Sequence, residues 1–539
     1  MTALTAGYAP RTGGSRQLAA TGALLKLALR RDRLMIPIWV YVVALTVVTM
    51  PRTLKGIYAT PAERADVLTT MQANSSLRAL YGPAIDDSLG GLTVWRVGAY
   101  AALFAAAMSL LIVVRHTRDE EESGRQEMVS AAMVGRRAPL TAALLTALVA
   151  NAAVAAIIAV GMPLMGAGGV AGGVALGLAT AGAGMVFATA AIVAQFTESA
   201  RLARGVSAGL LGVAFVLRAA GDAGTDDGSS VLTWISPIGW LENTRAYAGE
   251  RWWVLLLFAA AVLAQGAAAY ALAGRRDIGM SFLPSRPGPA RGRLGSAGAL
   301  AWRLQRGSVL GWSLGFFASG VALGGVTNGA TDLVGDNANT RDIIERMGGQ
   351  SGLTDAFLAA MVGMLGMVAA LYVVQAVLRM HGEETSQRAE PVLAGAVGRL
   401  RWAAGHLVIA FAGAALIMLL GGLGLAVGHG HDLGPVLGAC LVQLPAVWAL
   451  GGVAMLLYGL APRAAVGGGW GVAGAALLIG WIGPALKLPQ AVMDLSPFGH
   501  LPKLPGGEME WGAVVVLTGL AVVFVGMGLV GLRRRDMSN

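Results

Sequence analysis

Residues 120–136 read EEESGRQEMVSAAMVGR, and residues 383–399 read EETSQRAEPVLAGAVGR. At a constant shift of 263 residues and without a gap, Glu120 falls on Glu383, Glu121 on Glu384, Arg125 on Arg388 and Glu127 on Glu390. Val129, Ala131, Val134, Gly135 and Arg136 fall in the same way on Val392, Ala394, Val397, Gly398 and Arg399. The chain is a tandem duplication. Each copy is a short charged segment between long apolar runs, so the best-kept feature of both halves is a polar loop. Such a loop is better suited to holding a partner than to filling space.

With 55% hydrophobic and 13% charged residues over 539 positions, the chain is too apolar for a soluble protein of this length. Runs near the ~20 residues that cross a bilayer lie at 34–50, 95–114, 138–162, 168–194, 204–220 and 252–273. A second set lies at 307–327, 356–378, 402–427, 434–460, 465–484 and 511–532. These runs lack the alternating polarity of barrel strands, and backbone groups in lipid must be satisfied internally, so the runs are predicted to be helices. The expected fold is an all-α polytopic membrane protein of about twelve transmembrane helices, arranged as two pseudo-symmetric six-helix halves. As drawn, no crossing contains an Asp or Glu.

The halves are predicted at 1–274 and 299–539, joined by a Pro-, Gly- and Arg-rich linker at 275–298. The linker opens with RRDIG (275–279) and the chain closes with RRRDM (533–537), so the second half stops where the linker of the first begins. With a cytoplasmic N-terminus, the inner segments hold most of the 40 Lys and Arg and fewer than half of the 30 Asp and Glu. The positive-inside rule then places both termini and both duplicated loops in the cytoplasm. The high pI follows from this topology; no basic stripe with stacking aromatics points to nucleic acid.

Residues 15–33, SRQLAATGALLKLALRRDR, set Leu18, Leu25 and Leu29 on one helical face and Lys26, Arg30 and Arg33 on another, the pattern of an interfacial helix. LAWRLQRGSVLGW (300–312) is its weaker counterpart before the seventh crossing. Large outer loops are expected at 51–94, 221–251, 328–355 and 485–510, and SPIG (236–239) and SPFG (496–499) predict a turn that ends one short helix and starts another. Within the duplicated loops, Glu121 with Arg125 and Glu384 with Arg388 stand at i, i+4 with the acid first, the favourable order on a helix.

The residues that follow Lys26, Lys55, Lys487 and Lys503 are Leu, Gly, Leu and Leu, so the chain contains no GK[ST] phosphate loop. His429, His431 and Asp432 have a spacing that metals tolerate, but two His and an acid on a loop read better as a solvated turn, and no metal is expected. Cys440 reads as a small buried residue. Gln195, Gln265, Gln375 and Gln443 are among the few strongly polar residues of the crossings, suited to interhelical hydrogen bonds. Phe104, Met108, Met364, Met367 and Gln375 are the candidate lining of a substrate cavity, which favours an apolar or amphiphilic compound, cationic or neutral.

A membrane protein with duplicated charged loops and no phosphate loop resembles the permeases of the ABC-2 exporter superfamily. In particular it resembles the twelve-helix bacterial permeases for polyketide antibiotics of the tetronasin-resistance kind. The resemblance rests on the interfacial helix, the charged loop between the second and third crossings, the repeat of both, and the proline-bearing outer segments. It implies a type V exporter-like arrangement in the bacterial plasma membrane and a separate ABC-type ATPase, as a homodimer, that binds ATP and Mg. It also implies coupling helices at 115–138 and 378–401 carried by Glu120, Glu121, Arg125, Glu127, Glu383, Glu384, Arg388 and Glu390. This chain would then be no enzyme. Pro391, aligned with Met128, is expected to kink or shorten the second coupling helix. The competing reading is an ion-coupled secondary transporter of two six-helix halves.

Overall fold

A computed structural model describes residues 17–277, 280–282, 292, 294–327, 353–430, 432–483 and 488–536. The described secondary structure is helical throughout, and twelve of its helices are long and apolar enough to cross a membrane. The chain is a polytopic membrane protein. It divides into two compact units, Met1–Pro287 and Gly288–Asn539.

The first unit opens with α1 (Thr21–Arg31), the amphipathic segment, followed by α2 (Met35–Val48) and α3 (Met50–Ile57), which run on as one crossing. The short α4 (Pro61–Ala73) and α5 (Ser75–Tyr81) fill the predicted outer loop. Pro61 sits in the first turn of α4, where no backbone donor is needed, and Thr60 and Glu63 form a capping box. The second crossing is α6 (Leu89–Arg115), followed in the charged loop by α7 (Arg118–Glu122) and α8 (Arg125–Ser130). Then come α9 (Ala138–Leu164), α10 (Val170–Val186) with α11 (Ala190–Phe196), α12 (Ala200–Gly224), the short α13 (Val231–Ile235) and α14 (Pro237–Asn243), and α15 (Val254–Ala273).

The second unit repeats this plan with α16 (Ala297–Thr327), α17 (Leu353–Thr385), the four-residue α18 (Glu390–Leu393) and α19 (Arg399–His429). It continues with α20 (Leu433–Val442) and α21 (Leu444–Leu460), α22 (Pro462–Ile482), α23 (Gln490–Met493) and α24 (Trp511–Arg534). Residues 300–312 do not form a separate interfacial helix. They are the first turns of the continuous α16, because no Asp-Arg break like that at 32–33 interrupts them. Most of the predicted outer loop 328–355 lies outside the described residues.

The two units bury their crossings in the same order. In each, 72% of the most apolar stretch of the second crossing is buried, 67% of that of the fourth, and only 17% of that of the sixth. The second and fourth crossings are thus the core of each unit, while the sixth leaves most of its residues exposed. In lipid, helices associate through close packing more than through an apolar drive, so small residues mark the tightest interfaces. On α16 and α19, Gly320, Gly324, Gly424 and Gly428 bring the backbones so close that a Cβ on any of them would fall well inside 3.0 Å of a carbonyl oxygen opposite.

The two Ser-Pro motifs do what their sequence predicts. Ser236 ends α13 and caps α14, with Pro237 in its first turn, and Pro497 likewise starts a 3-10 turn behind Ser496. Both serines are fully buried, and each donates its hydroxyl to a carbonyl of the fifth crossing, Ser236 to Ala214 at 2.7 Å and Ser496 to Ala476 at 3.1 Å.

Candidate functional site: the duplicated loops

The first loop is not one helix. α7 stops after five residues, Gly124 takes a left-handed conformation (φ 71°), and α8 starts anew at Arg125. Glycine adopts that conformation without the steric cost an L side chain would meet there. The expected Glu121–Arg125 pair does not form, because the turn carries Arg125 back onto Glu120, at 3.0 Å from Nε to Oε2. Glu121 instead points inward. It accepts from Arg118 Nη1 at 2.6 Å and from Arg276, beyond α15, at 2.7 and 2.9 Å.

Asp119, Glu120 and Glu122 are also engaged within the unit. Glu120 pairs with Arg31 of α1, Asp119 with Arg204 of α12, and Glu122 accepts the Ala200 amide at 2.8 Å, at the N-terminus of α12, where the helix dipole favours an anion. Asp32, fully buried just after α1, binds Arg115 at 3.0 Å and His116 at 2.7 Å. Arg31, the last residue of the amphipathic helix, and Asp32, which follows it, thereby dock that helix to the loop and to the end of the second crossing.

In the second loop Gln387 takes the left-handed turn (φ 57°), and the Glu384–Arg388 pair does not form either. Glu384 is buried. It accepts from Arg535 Nη1 and Nη2 and from the Tyr458 hydroxyl, each at 2.7 Å. Glu383, also buried, pairs with Arg379 one turn earlier at 2.6 Å. Pro391 stands in the first turn of α18, a position that tolerates proline, so it introduces no kink. The helix is nonetheless shorter than α8, four residues against six.

Of the eight candidate coupling residues, Arg125, Glu127, Arg388 and Glu390 face outward, whereas Glu121, Glu383 and Glu384 are tied inside their own units. Hydropathy marked the loops as uniformly polar and hid two further surface features. Met128 is 70% and Met133 93% exposed in the first loop; the aligned positions in the second are Pro391 and Ala396. A methionine surface next to charge is adaptable contact area, and sequence spacing between charged residues carries no sign of it.

The candidate cavity residues do not form one group. Met108 is fully buried in the core of the first unit with Phe104 packed on it. In the second unit, Met367 lines a cleft of about 370 Å³ with Gln443, Trp481, Gln490 and Ser496, a size at the lower end for small-molecule sites. Gln375, two turns further along α17, is exposed and accepts from Trp312 Nε1 at 3.0 Å. The Gln195 and Gln375 side chains both bridge elements, to Arg276 and Trp312. His429 lies 3.8 Å from Asp432, His431 is outside the described residues, and no cluster of three or more potential metal ligands occurs among the described ones.

The expectation that no crossing holds an acid needs correction. α12 continues to Gly224, four residues past the predicted end, and brings Asp222 with it. At the end of the unit opposite the charged loop, Arg218 is fully buried, 3.4 Å from Asp222 and 3.1 Å from Glu242 of α14. Thr233 donates to Asp222 at 2.7 Å, and Arg78 donates to the Asp222 and Ala223 carbonyls at 3.1 and 3.0 Å. Burial, reinforced by the Asp222 charge, pushes the Glu242 carboxyl well above the usual carboxylate range. The apolar run alone could not show this, because the run ends where the cluster begins.

Twelve crossings in two repeated units, with a charged loop after the second crossing of each, define a duplicated polytopic membrane protein. Residues 294–533 match the family described as the C-terminal domain of the multidrug efflux system permease Rv1217c. The chain is 42% identical over 540 aligned residues, covering 98% of this chain and 97% of the relative, to the multidrug efflux system permease protein Rv1217c of Mycobacterium tuberculosis (strain ATCC 25618 / H37Rv). The chain belongs to this family of multidrug efflux system permeases. The match supports a multidrug efflux permease rather than the narrower tetronasin-type class.

Proposed function

We propose that the chain is the membrane-spanning subunit of an ATP-driven ABC exporter of amphiphilic compounds such as drugs or antibiotics. Polyketides of the tetronasin kind would be one group among them. It would sit in the bacterial plasma membrane with both termini and both duplicated loops in the cytoplasm. A separate homodimeric ATPase, holding ATP and Mg, would seat against 115–138 and 378–401. The observation that carries this reading is the exposure, at aligned positions of both loops, of Arg125 with Glu127 and of Arg388 with Glu390, while their neighbouring acids are engaged internally. The missing GK[ST] and the likeness to a multidrug efflux system permease support it. The first loop, with the longer helix and the two exposed methionines, would make the larger contact.

The test is purification of the tagged chain from its own host in mild detergent. A P-loop ATPase should accompany it, and the chain stripped of that partner should hydrolyse no ATP. Drug efflux that continues in cells depleted of ATP but holding an ion gradient would sink the proposal in favour of an ion-coupled transporter.

The proposed orientation has its own measurement. In a Cys440→Ala background, Ser123→Cys and Ser386→Cys, both exposed on the loops, should resist an impermeant thiol reagent added to intact cells. Asp227→Cys, exposed at the other end of the first unit, should react. The reverse pattern would invert the topology.

A further inference from the structure

Two duplicated sequence features meet in space. Arg276 and Arg535 occupy the same place in the repeated Arg-Arg-Asp that follows the sixth crossing of each unit, and Glu121 and Glu384 are aligned in the two loops. Each arginine holds the glutamate of its own unit through both guanidinium Nη atoms, Arg276 at 2.7 and 2.9 Å and Arg535 at 2.7 Å twice. The side chains are mostly hidden, 9% and 6% exposed in the first pair and 14% and 2% in the second.

The supporting contacts are duplicated as well. Arg136 donates to the main-chain carbonyl of Arg276 at 2.9 Å, and the aligned Arg399 to that of Arg535 at 2.6 Å. At the end of the fourth crossing, Gln195 accepts from Arg276 Nε, and Tyr458, at the same shift of 263 residues, donates to Glu384. The halves have diverged at this last pair, yet both residues still complete the same arrangement. Parallel hydrogen bonds between a guanidinium and a carboxylate fix orientation as well as distance, and shielding from water strengthens them relative to exposed pairs.

We propose that Arg276 and Arg535 are positioning residues that clamp each coupling loop to the sixth crossing of its own unit, so that loop and helix move as one body. The sixth crossing is the least buried of each unit, and in the second unit its close backbone contact, Gly528 on Gly459, is with the fourth crossing, so its packing does not by itself tie it to the loop. The clamp supplies that link. This inference rests on the coupling role proposed above for the loops.

The test uses Arg535→Glu, Glu384→Arg and the double variant. In the purified full-length chain without any partner, hydrogen exchange of residues 385–397 should rise at least fivefold in each single variant and return towards the parent value in the double one. Exchange of residues 122–134 should stay unchanged in all three. Unchanged exchange in the single variants, or no recovery in the double, overturns the clamp. Arg535→Gln, which lies past the last crossing, serves as the first variant if Glu384→Arg does not fold.

A second arm reads the motion itself. Spin labels at Ser386→Cys and Val530→Cys, in a Cys440→Ala background, should keep one separation in nucleotide-free and ATP-loaded complexes of the parent. With Arg535→Gln the separation should change between the two states. A separation that changes in the parent overturns the proposal. If no ATPase binds the parent chain, the coupling reading fails, while the exchange measurement still decides whether the clamp exists.

Discussion

Replacing Arg218 with methionine is expected to destabilise the first unit by about 3–5 kcal/mol, the usual cost of removing one partner from a buried ion cluster. The reason is the imbalance it leaves. Asp222 would remain buried beside Glu242 with no cation between them, and among the described residues the side-chain partners left to it are Thr233 and Glu242 itself. The measurement is thermal unfolding of the detergent-solubilised protein, where a fall of roughly 10 °C is expected. Adding Asp222→Asn and Glu242→Gln to Arg218→Met should restore most of the loss, since the two amides leave no ionisable carboxyl in the cluster that needs the arginine. A triple variant no better than the single one would show that Arg218 acts through packing, against Phe215 for example, rather than through charge.

The same cluster fixes a pH dependence. Glu242 has its pKa raised in the folded state, so the folded protein binds that proton more tightly than the unfolded chain does. The stability that comes with it is fully present below the ordinary carboxylate pKa and is lost as pH rises from there through the folded value. Glu242→Gln should therefore melt progressively higher than the parent as pH rises across that window, and the difference should vanish in acid.

The second large effect is expected at the glycine contact between α16 and α19. A Cβ at Gly324 would meet the Leu425 carbonyl and the His429 amide, which are backbone atoms that cannot rotate away. Gly324→Val should cost at least the ~1–3 kcal/mol of ordinary overpacking and reduce the yield of folded protein, and Gly324→Ala should already be harmful. Gly315, on the same helix, has nothing within 4 Å of its added Cβ. There alanine should be neutral or stabilising by up to about 1 kcal/mol, the helix propensity difference. Size-exclusion profiles and melting of the two alanine variants decide the matter. Equal behaviour would mean that the two helices separate to admit the methyl group.

Much of this protein was settled by its linear pattern. The apolar runs had to become helices because lipid offers backbone groups no other partner. The repeat at 120–136 and 383–399 fixed where the loops fall, and the Ser-Pro pairs fixed where short helices stop and restart, because proline fits a first helical turn and serine can cap it. The absence of GK[ST] is a property of the residues alone. Tertiary structure decided the partners of the charges. Spacing of i, i+4 offers Arg125 to Glu121, yet Gly124 turns the chain and gives Arg125 to Glu120 instead. Glu121 and Glu384 look like surface charges in sequence and are buried by arginines 155 and 151 residues away. Arg218, Asp222 and Glu242 meet only because α12 runs past its apolar stretch and α14 folds back against it. Ion pairs depend on distance in space, and a single glycine turn or an extra helical turn changes that distance without altering the hydropathy that made the fold legible.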